Sequence, residues 1–166
     1  MIDLLLSYYD RNADYARRLV ADVTDDQWCA QPNCGPGAIR NHAAWVIGHL
    51  AQVADKATGN FTLGLERRFP PQWDELFHGQ SQPTADRAAY PDKPTLLAAY
   101  EAGHAHVAAA LRLADDSLLA KPTPHEGFRA RFPTVGVALL HLMVGHECVH
   151  LGQLSAWRRA LGLPNV

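Results

Sequence analysis

Two histidines stand four residues apart near the end of the chain, in the segment HECVH from His146 to His150. The surrounding sequence is strongly helical, and four residues of an α-helix turn through about 400°, so the two imidazoles lie roughly 40° apart on one face. Rings with this spacing reach one ion together. The segment therefore predicts a metal site.

The letters HExxH also occur in zinc proteases, where the glutamate is the general base and a third ligand follows downstream. After His150 this sequence contains no His, Asp, Glu or Cys. The missing ligand disfavours a peptidase, and any residue that completes the site comes from upstream. Glu147 lies about 100° from His146 around the helix. It either orients a ligand or acts as a base at the metal, or it pairs with a neighbouring helix.

The best upstream candidate lies in the second predicted helix. His42 and His49 are seven residues and two turns apart there, so one ion can take only one of them. His49 is favoured because it lies in mid-helix beside the apolar Ile47 and Leu50, where a ligand is sheltered from solvent. A lone histidine in a core is more often a hydrogen-bonded packing residue than a metal ligand. The pair His146 and His150 reverses that expectation for His49.

Other polar side chains are weaker candidates. His104 falls on the apolar stripe of the third predicted helix and is either a satisfied core residue or a partner of a ligand. His141 is about 140° from His146 around an α-helix and is expected to point elsewhere. Cys148 is predicted to be a core thiol, and Gln153 either supports the site or packs between helices. Three further histidines are expected to face solvent: His78, His106 and His125.

Composition limits the remaining functions. A length of 166 residues with 48% apolar content suits a single domain, residues 1–166, with its own core. The net charge of −2 comes with scattered Lys and Arg, which argues against nucleic-acid binding. Three cysteines match no zinc knuckle or redox pair, and no signal pattern begins the chain, so a cytoplasmic protein is expected. Polar residues interrupt every apolar run before the roughly 20 residues of a membrane span.

Four segments with helical periodicity are expected to position the candidate side chains. The predicted helices run from about Asp3 to Val23, Ala38 to Lys56, Pro94 to Leu111, and Thr134 to Leu161. On the first helix the predicted stripe includes Tyr8 and Tyr15, and the fourth helix is apolar on nearly every side, which predicts the most buried element.

The connections between these helices are long. Turn-forming residues fill positions 31–37, Thr58 to Asn60 ends the second helix, and residues 59–93 contain only a short helical pattern around Trp73. Four helices with long connections predict an all-α four-helix bundle with crossover connections.

Two segments, Asn41 to Leu50 and the HxxxHxGQ stretch from His146 to Gln153, make the chain resemble the DinB superfamily of DinB/YfiT-like metalloenzymes. The likeness also extends over the chain in helix order and length. The resemblance implies that His49, His146 and His150 bind a divalent metal ion, Zn or Ni. It also implies a homodimer. Family members of known activity are thiol S-transferases that use bacillithiol or mycothiol, and a related domain occurs in ergothioneine biosynthesis.

Three neutral imidazoles leave an open position on zinc or nickel. A thiol bound there loses its proton and attacks an electrophile held under residues 59–93. The leading prediction is a metal-dependent thiol S-transferase that joins a low-molecular-weight thiol to a small electrophile. A non-catalytic, stress-related metal-binding bundle and another metal-dependent hydrolase are the alternatives. The unperturbed histidine pKa predicts that metal affinity falls as pH drops through about 6.5.

Overall fold

The computed structural model describes residues 1–35 and 37–166, and four long helices form most of it. They are α1 (Ile2–Val20), α2 (Ala43–Gln52) continued by a π-helical segment (Val53–Thr62), α4 (Lys93–Arg112), and a fourth helix made of α6 (Val135–Leu139), a π-helical segment (Leu140–His146) and α7 (Glu147–Ala160). Two short helices, α3 (Trp73–Phe77) and α5 (Glu126–Arg129), lie in the connections. The predicted all-α fold with four long helices is confirmed.

The second helix begins at Ala43 rather than at the predicted Ala38. A two-residue hairpin, β1 (Asn33–Cys34) paired with β2 (Gly37–Ala38), occupies the predicted start. The helix then begins behind His42, whose Nδ1 accepts a hydrogen bond from the Trp45 backbone N–H at 3.3 Å. An acceptor at this position satisfies one of the free N–H groups of the first turn. The predicted turn residues 31–37 include Pro36, which lies outside the described residues.

The same helix also ends later than predicted. Thr58 to Asn60 do not stop it, because the chain changes to π-helical turns and continues to Thr62, whose hydroxyl donates to the Ala57 carbonyl at 2.7 Å. Gly64, at φ +70°, then ends it in the left-handed conformation that glycine adopts at low cost.

The core consists of two apolar clusters, one towards each end of the bundle. Trp28, Tyr100 and Trp157 belong to one cluster, and Leu5, Leu111 and Met143 belong to the other. All ten residues of α2 are buried. The fourth helix was predicted to be the most buried element, but it exposes Val137, Leu140 and Val149. The most deeply buried long element is therefore α2, which packs against α4 and α7 and is also covered by α3.

The helix Val135–Ala160 is long and apolar enough for a membrane span by length and composition, contrary to the sequence expectation. It nevertheless contains the buried polar residues Glu147, His150 and Arg158, and Leu139 and Trp157 on it belong to the two apolar clusters. A charged residue in a membrane segment is costly unless it is paired inside a bundle. We therefore assign this helix to the bundle.

Candidate metal centre

The structure brings three predicted ligands together inside the bundle. His49 lies on α2, His146 ends the second π-helical segment, and His150 lies on α7. One nitrogen from each ring lies within 4.8 Å of the others, and the Nε2 atoms of His49 and His146 are 3.3 Å apart. Two nitrogens bound to zinc at about 2.05 Å in tetrahedral geometry are also roughly 3.3 Å apart. We call His49, His146 and His150 the three-histidine centre.

The hydrogen bonds of these rings suit a metal site. His49 Nδ1 is 2.6 Å from the Phe77 carbonyl oxygen, which only accepts, so Nδ1 carries the proton and Nε2 keeps a free lone pair. The Nδ1 atoms of His146 and His150 are buried and have no hydrogen-bond partner in the described part of the chain. Three imidazoles are a donor set that zinc and nickel accept.

Burial keeps the three rings neutral. Burial, together with the smaller effect of neighbouring imidazoles, lowers the pKa of His146 to about 3 and that of His150 to about 4. Burial also lowers the pKa of His49, although its bond to Phe77 opposes this shift. Since only a neutral imidazole has a lone pair for a metal, the centre is ready to bind one at neutral pH. Protons begin to compete for the folded ligands well below the pH of 6.5 expected from the sequence.

These pKa values predict how the metal-free protein responds to acid. In the unfolded chain His146 and His150 titrate near 6.5, whereas in the folded protein they titrate near 3 and 4. Between these values the unfolded chain binds protons that the folded one does not, so the free energy of unfolding falls as pH falls. The stability from these groups is complete above about pH 6.5 and is lost towards pH 3.

Urea unfolding of the metal-free protein at pH 7.5, 6 and 5 measures this slope. A variant with both His146→Gln and His150→Gln is expected to show a shallower slope, because glutamine does not titrate. An unchanged slope in that variant would contradict the assigned cause.

Residues 59–93 hold His49 in position. Trp45 stacks on the His49 ring with a centroid distance of 4.8 Å, and its Nε1 donates to the Ser81 hydroxyl at 2.8 Å. The carbonyl of Phe77 fixes the other side of His49, and the Phe77 ring lies directly over Gly48. A Cβ atom at Gly48 would be 2.2 Å from that ring, so only glycine allows this approach. The long connection therefore supports the centre as well as covering it.

The variant Gly48→Ala is expected to displace Phe77 and loosen its bond to His49. Overpacking of this kind costs about 1–3 kcal/mol, and loss of a partner of a ligand lowers metal affinity about 10-fold to 100-fold. Gly152→Ala is the matched control, because a Cβ there would meet no heavy atom of the described residues within 4 Å. Thermal unfolding and a chelator competition measure both effects. Equal stability and equal metal affinity of the two variants would show that Gly48 does not support His49.

Glu147 points away from the three-histidine centre and into the bundle. It is 2% exposed and accepts hydrogen bonds from Asn12 Nδ2 at 3.2 Å and the Tyr100 hydroxyl at 2.9 Å, and its Oε1 lies 2.6 Å from His104 Nε2. We call these four residues the Glu147 network. They lie between the two apolar clusters and join α1 and α4 to α7. The geometry matches the helix-pairing alternative for Glu147.

The hydrogen bonds fix the protons in this network. His104 Nδ1 is 3.0 Å from the Tyr100 backbone oxygen, so both of its nitrogens face oxygen acceptors. One proton therefore lies on His104 Nδ1 and a second between Nε2 and the carboxylate, which makes the pair neutral overall. Tyr100 donates as a neutral phenol, since burial, followed by the Glu147 charge, raises its pKa well above the usual value. A neutral, fully paired cluster is tolerated in a core where a lone charge is not.

His141 lies closer to the centre than predicted. In a π-helix the hydrogen bonds join residues five apart, so residues 141 and 146 share a face that an α-helix would not give them. The two rings are consequently 6.1 Å apart, although His141 is not part of the three-histidine centre. The prediction that His141 points elsewhere was wrong, because the sequence carries no recognised signal for a π-helical turn.

The structure also places the other polar candidates. His42 is a capping residue, and its Nε2 lies 2.9 Å from the Thr84 carbonyl oxygen. Gln153 accepts a hydrogen bond from Asn41 Nδ2 at 3.0 Å, which joins the two segments that carry the resemblance. Cys148 is exposed rather than a core thiol, although its Sγ lies 3.7 Å from Asn12 Oδ1 on α1.

The sequence did not predict the two tyrosines that contact the Glu147 network. The predicted stripe of α1 includes Tyr8, but Tyr8 is 48% exposed and Tyr9 is buried instead, stacked on His104 at 4.0 Å. Tyr100, a member of the Glu147 network, was not among the predicted site residues. Its position one turn before His104 was the available signal.

One family model matches most of the chain. The DinB superfamily model matches residues 8–154, a range that contains the three-histidine centre and the Glu147 network. No curated protein matches the chain.

Proposed function

The chain belongs to the DinB superfamily, and from this premise we propose that it is a metal-dependent thiol S-transferase that joins a low-molecular-weight thiol to a small electrophile. The observation that carries the proposal is the convergence of three neutral imidazoles within 4.8 Å. A zinc or nickel ion held by these imidazoles supplies a Lewis-acidic open position, which favours the thiolate form of a bound thiol at neutral pH.

The residues of the chain have distinct roles in this proposal. His49, His146 and His150 hold the ion, and the Phe77 carbonyl fixes the His49 ring so that its Nε2 faces the other two ligands. Trp45 stacks on that ring and limits the access of water from its side. An ordered ligand set costs little reorganisation when the substrate binds.

Glu147 has a positioning role in the same proposal. Its three partners on α1 and α4 hold the first residue of α7, and His146 immediately precedes it. The network thereby fixes the rotation of the fourth helix, on which two of the three ligands lie. A carboxylate with three hydrogen-bonding partners is poorly available as a base for a substrate.

A non-catalytic metal-binding bundle is the second candidate function. The structure contains a cavity of about 570 Å³ beside Arg11 and Tyr15 and another of about 440 Å³ beside Asn41 and Gln153. Among the described residues that line these two cavities, none belongs to the three-histidine centre. Neither of these two cavities supplies substrate space at the centre, and this observation favours a binding role over catalysis.

A conjugation assay distinguishes these functions. The metal-loaded protein is expected to accelerate conjugation of a thiol to a small electrophile, and removal of the metal is expected to abolish the acceleration. Because a coordinated thiol is deprotonated, the rate is expected to persist well below the thiol pKa of about 8.5. Metal-free protein and His49→Ala are the controls. No metal-dependent rate with bacillithiol, mycothiol or glutathione, together with no peptide cleavage, would support the second candidate instead.

A further inference from the structure

A cationic side chain lies near the three-histidine centre and takes no part in it. The Arg131 guanidinium lies over the Phe132 ring, 5.2 Å from its centroid. The Phe132 ring packs against His141 at 4.9 Å, and His141 lies 6.1 Å from the His146 ring. This series of contacts leads from an exposed arginine to one of the three imidazoles. We call Arg131, Phe132 and His141 the rim.

The loop that carries Arg131 is held in place by its own hydrogen bonds. The fully buried Thr123 donates through its hydroxyl to the Phe132 carbonyl at 2.6 Å, and its backbone N–H donates to the Pro133 carbonyl at 3.2 Å. Arg129 Nε donates to the Thr123 carbonyl at 2.7 Å. A side chain on a loop ordered in this way binds a ligand with less loss of conformational entropy than one on a mobile loop.

The charge of Arg131 acts on the centre and is not neutralised locally. It lowers the pKa of His141, after the larger effect of burial, and it contributes to the lowered pKa of His146. Within residues 1–35 and 37–166 no carboxylate forms an ion pair with Arg131. The described groups that shift the pKa values of the three ligands include no carboxylate either. The rim therefore carries one positive charge that no described carboxylate pairs with.

We propose that Arg131 and His141 bind the carboxylate group of a small substrate whose other end reaches the three-histidine centre. A guanidinium pairs with a carboxylate through two parallel hydrogen bonds, and the imidazole adds a third donor. One arginine beside a neutral imidazole supplies a single positive charge, which matches a carboxylate better than a doubly charged phosphate. This inference rests on the proposed function, and it names a chemical class of substrate for the same site.

The first test uses the metal-free protein, so that it does not depend on metal binding. The ring resonances of His141 are followed by NMR while glutarate, or its neutral analogue 1,5-pentanediol, is added. Glutarate is expected to shift these resonances and pentanediol is not. Arg131→Gln is expected to weaken glutarate binding about tenfold or more, whereas Arg159→Gln, which changes an exposed arginine on α7, is expected to leave it unchanged.

Three outcomes of this titration would overturn the inference. They are no shift with glutarate, an equal shift with pentanediol, and unchanged glutarate binding in Arg131→Gln. Tighter binding of methylphosphonate than of glutarate would also overturn the assignment to a carboxylate.

A second test separates this inference from the proposed function. Cobalt(II)-loaded protein is titrated with 3-mercaptopropionate and with 2-mercaptoethanol, and the thiolate absorption band is recorded. The charged thiol is expected to bind about tenfold more tightly, and Arg131→Gln is expected to remove this preference while 2-mercaptoethanol binding persists. If wild-type protein binds 3-mercaptopropionate no more tightly than 2-mercaptoethanol, the proposed carboxylate binding by the rim is contradicted. Absence of a thiolate band with either thiol contradicts the proposed function. The metal-free titration then still tests whether the rim binds a carboxylate.

Discussion

The variants His49→Ala, His146→Ala and His150→Ala are each expected to lose metal affinity by more than about a hundredfold. Each change removes one of three ligands, and replacing only a partner of a ligand already costs 10-fold to 100-fold. The proteins are expected to purify with little metal, and added zinc is expected to raise their melting temperature far less than that of the wild type, because a ligand that binds more weakly stabilises the folded state less. Mass spectrometry for metals and a chelator competition measure the loss.

His141→Ala is the matched control for these variants. It removes an imidazole whose ring lies 6.1 Å from that of His146 but which does not belong to the three-histidine centre. This variant is expected to keep most of its metal. Metal loss in His141→Ala equal to that in His146→Ala would show that the fourth imidazole is a ligand, and retention of metal in His49→Ala would remove α2 from the site.

Glu147→Ala is expected to destabilise the protein by about 3–5 kcal/mol, the cost of breaking a buried charged pair by removing one partner. The change leaves the donors of Asn12, Tyr100 and His104 without their shared acceptor between two apolar clusters. Chemical denaturation measures the loss. Glu147→Gln keeps the shape and one acceptor oxygen, so its effect is expected to be smaller.

A double-mutant cycle with Glu147→Leu and His104→Leu tests whether the two residues act as a pair. The double variant is expected to be less destabilised than the sum of the single variants, because it leaves neither partner alone in the core. Additive effects would contradict the pairing. Turnover in Glu147→Gln separates the remaining roles: a modest loss agrees with positioning, whereas a hundredfold loss at unchanged stability and metal content would indicate proton transfer.

The features that the sequence predicted well depend on strong local patterns. The four helices follow from apolar residues repeated at three- and four-residue steps, a period that tertiary packing preserved. His146 and His150 lie together because they are four residues apart in α-helical geometry, and the structure keeps them on one face. His49 was preferred to His42 for its position in mid-helix, and the structure places His42 at the cap instead.

The features that the sequence did not predict depend on backbone hydrogen bonding and on packing between helices. A π-helical turn brings the His141 ring to 6.1 Å from that of His146, and the apolar period does not reveal where such a turn occurs. The buried stripe of α1 is shifted by one residue from the predicted stripe, so Tyr9 is buried and Tyr8 is exposed. The partners of Glu147 come from two other helices, so they are defined only when the bundle forms.

X-ray absorption spectroscopy of the protein, purified from cells supplied with zinc and nickel, is the decisive test of the three-histidine centre. We expect one divalent ion per chain, with three imidazole nitrogens at about 2.0–2.1 Å and at least one further position filled by solvent or a thiol. Addition of 2-mercaptoethanol is expected to introduce one sulfur ligand at about 2.3 Å. A protein that binds no divalent metal, or one whose ion keeps its nitrogen ligands in a variant lacking all three histidines, would contradict it.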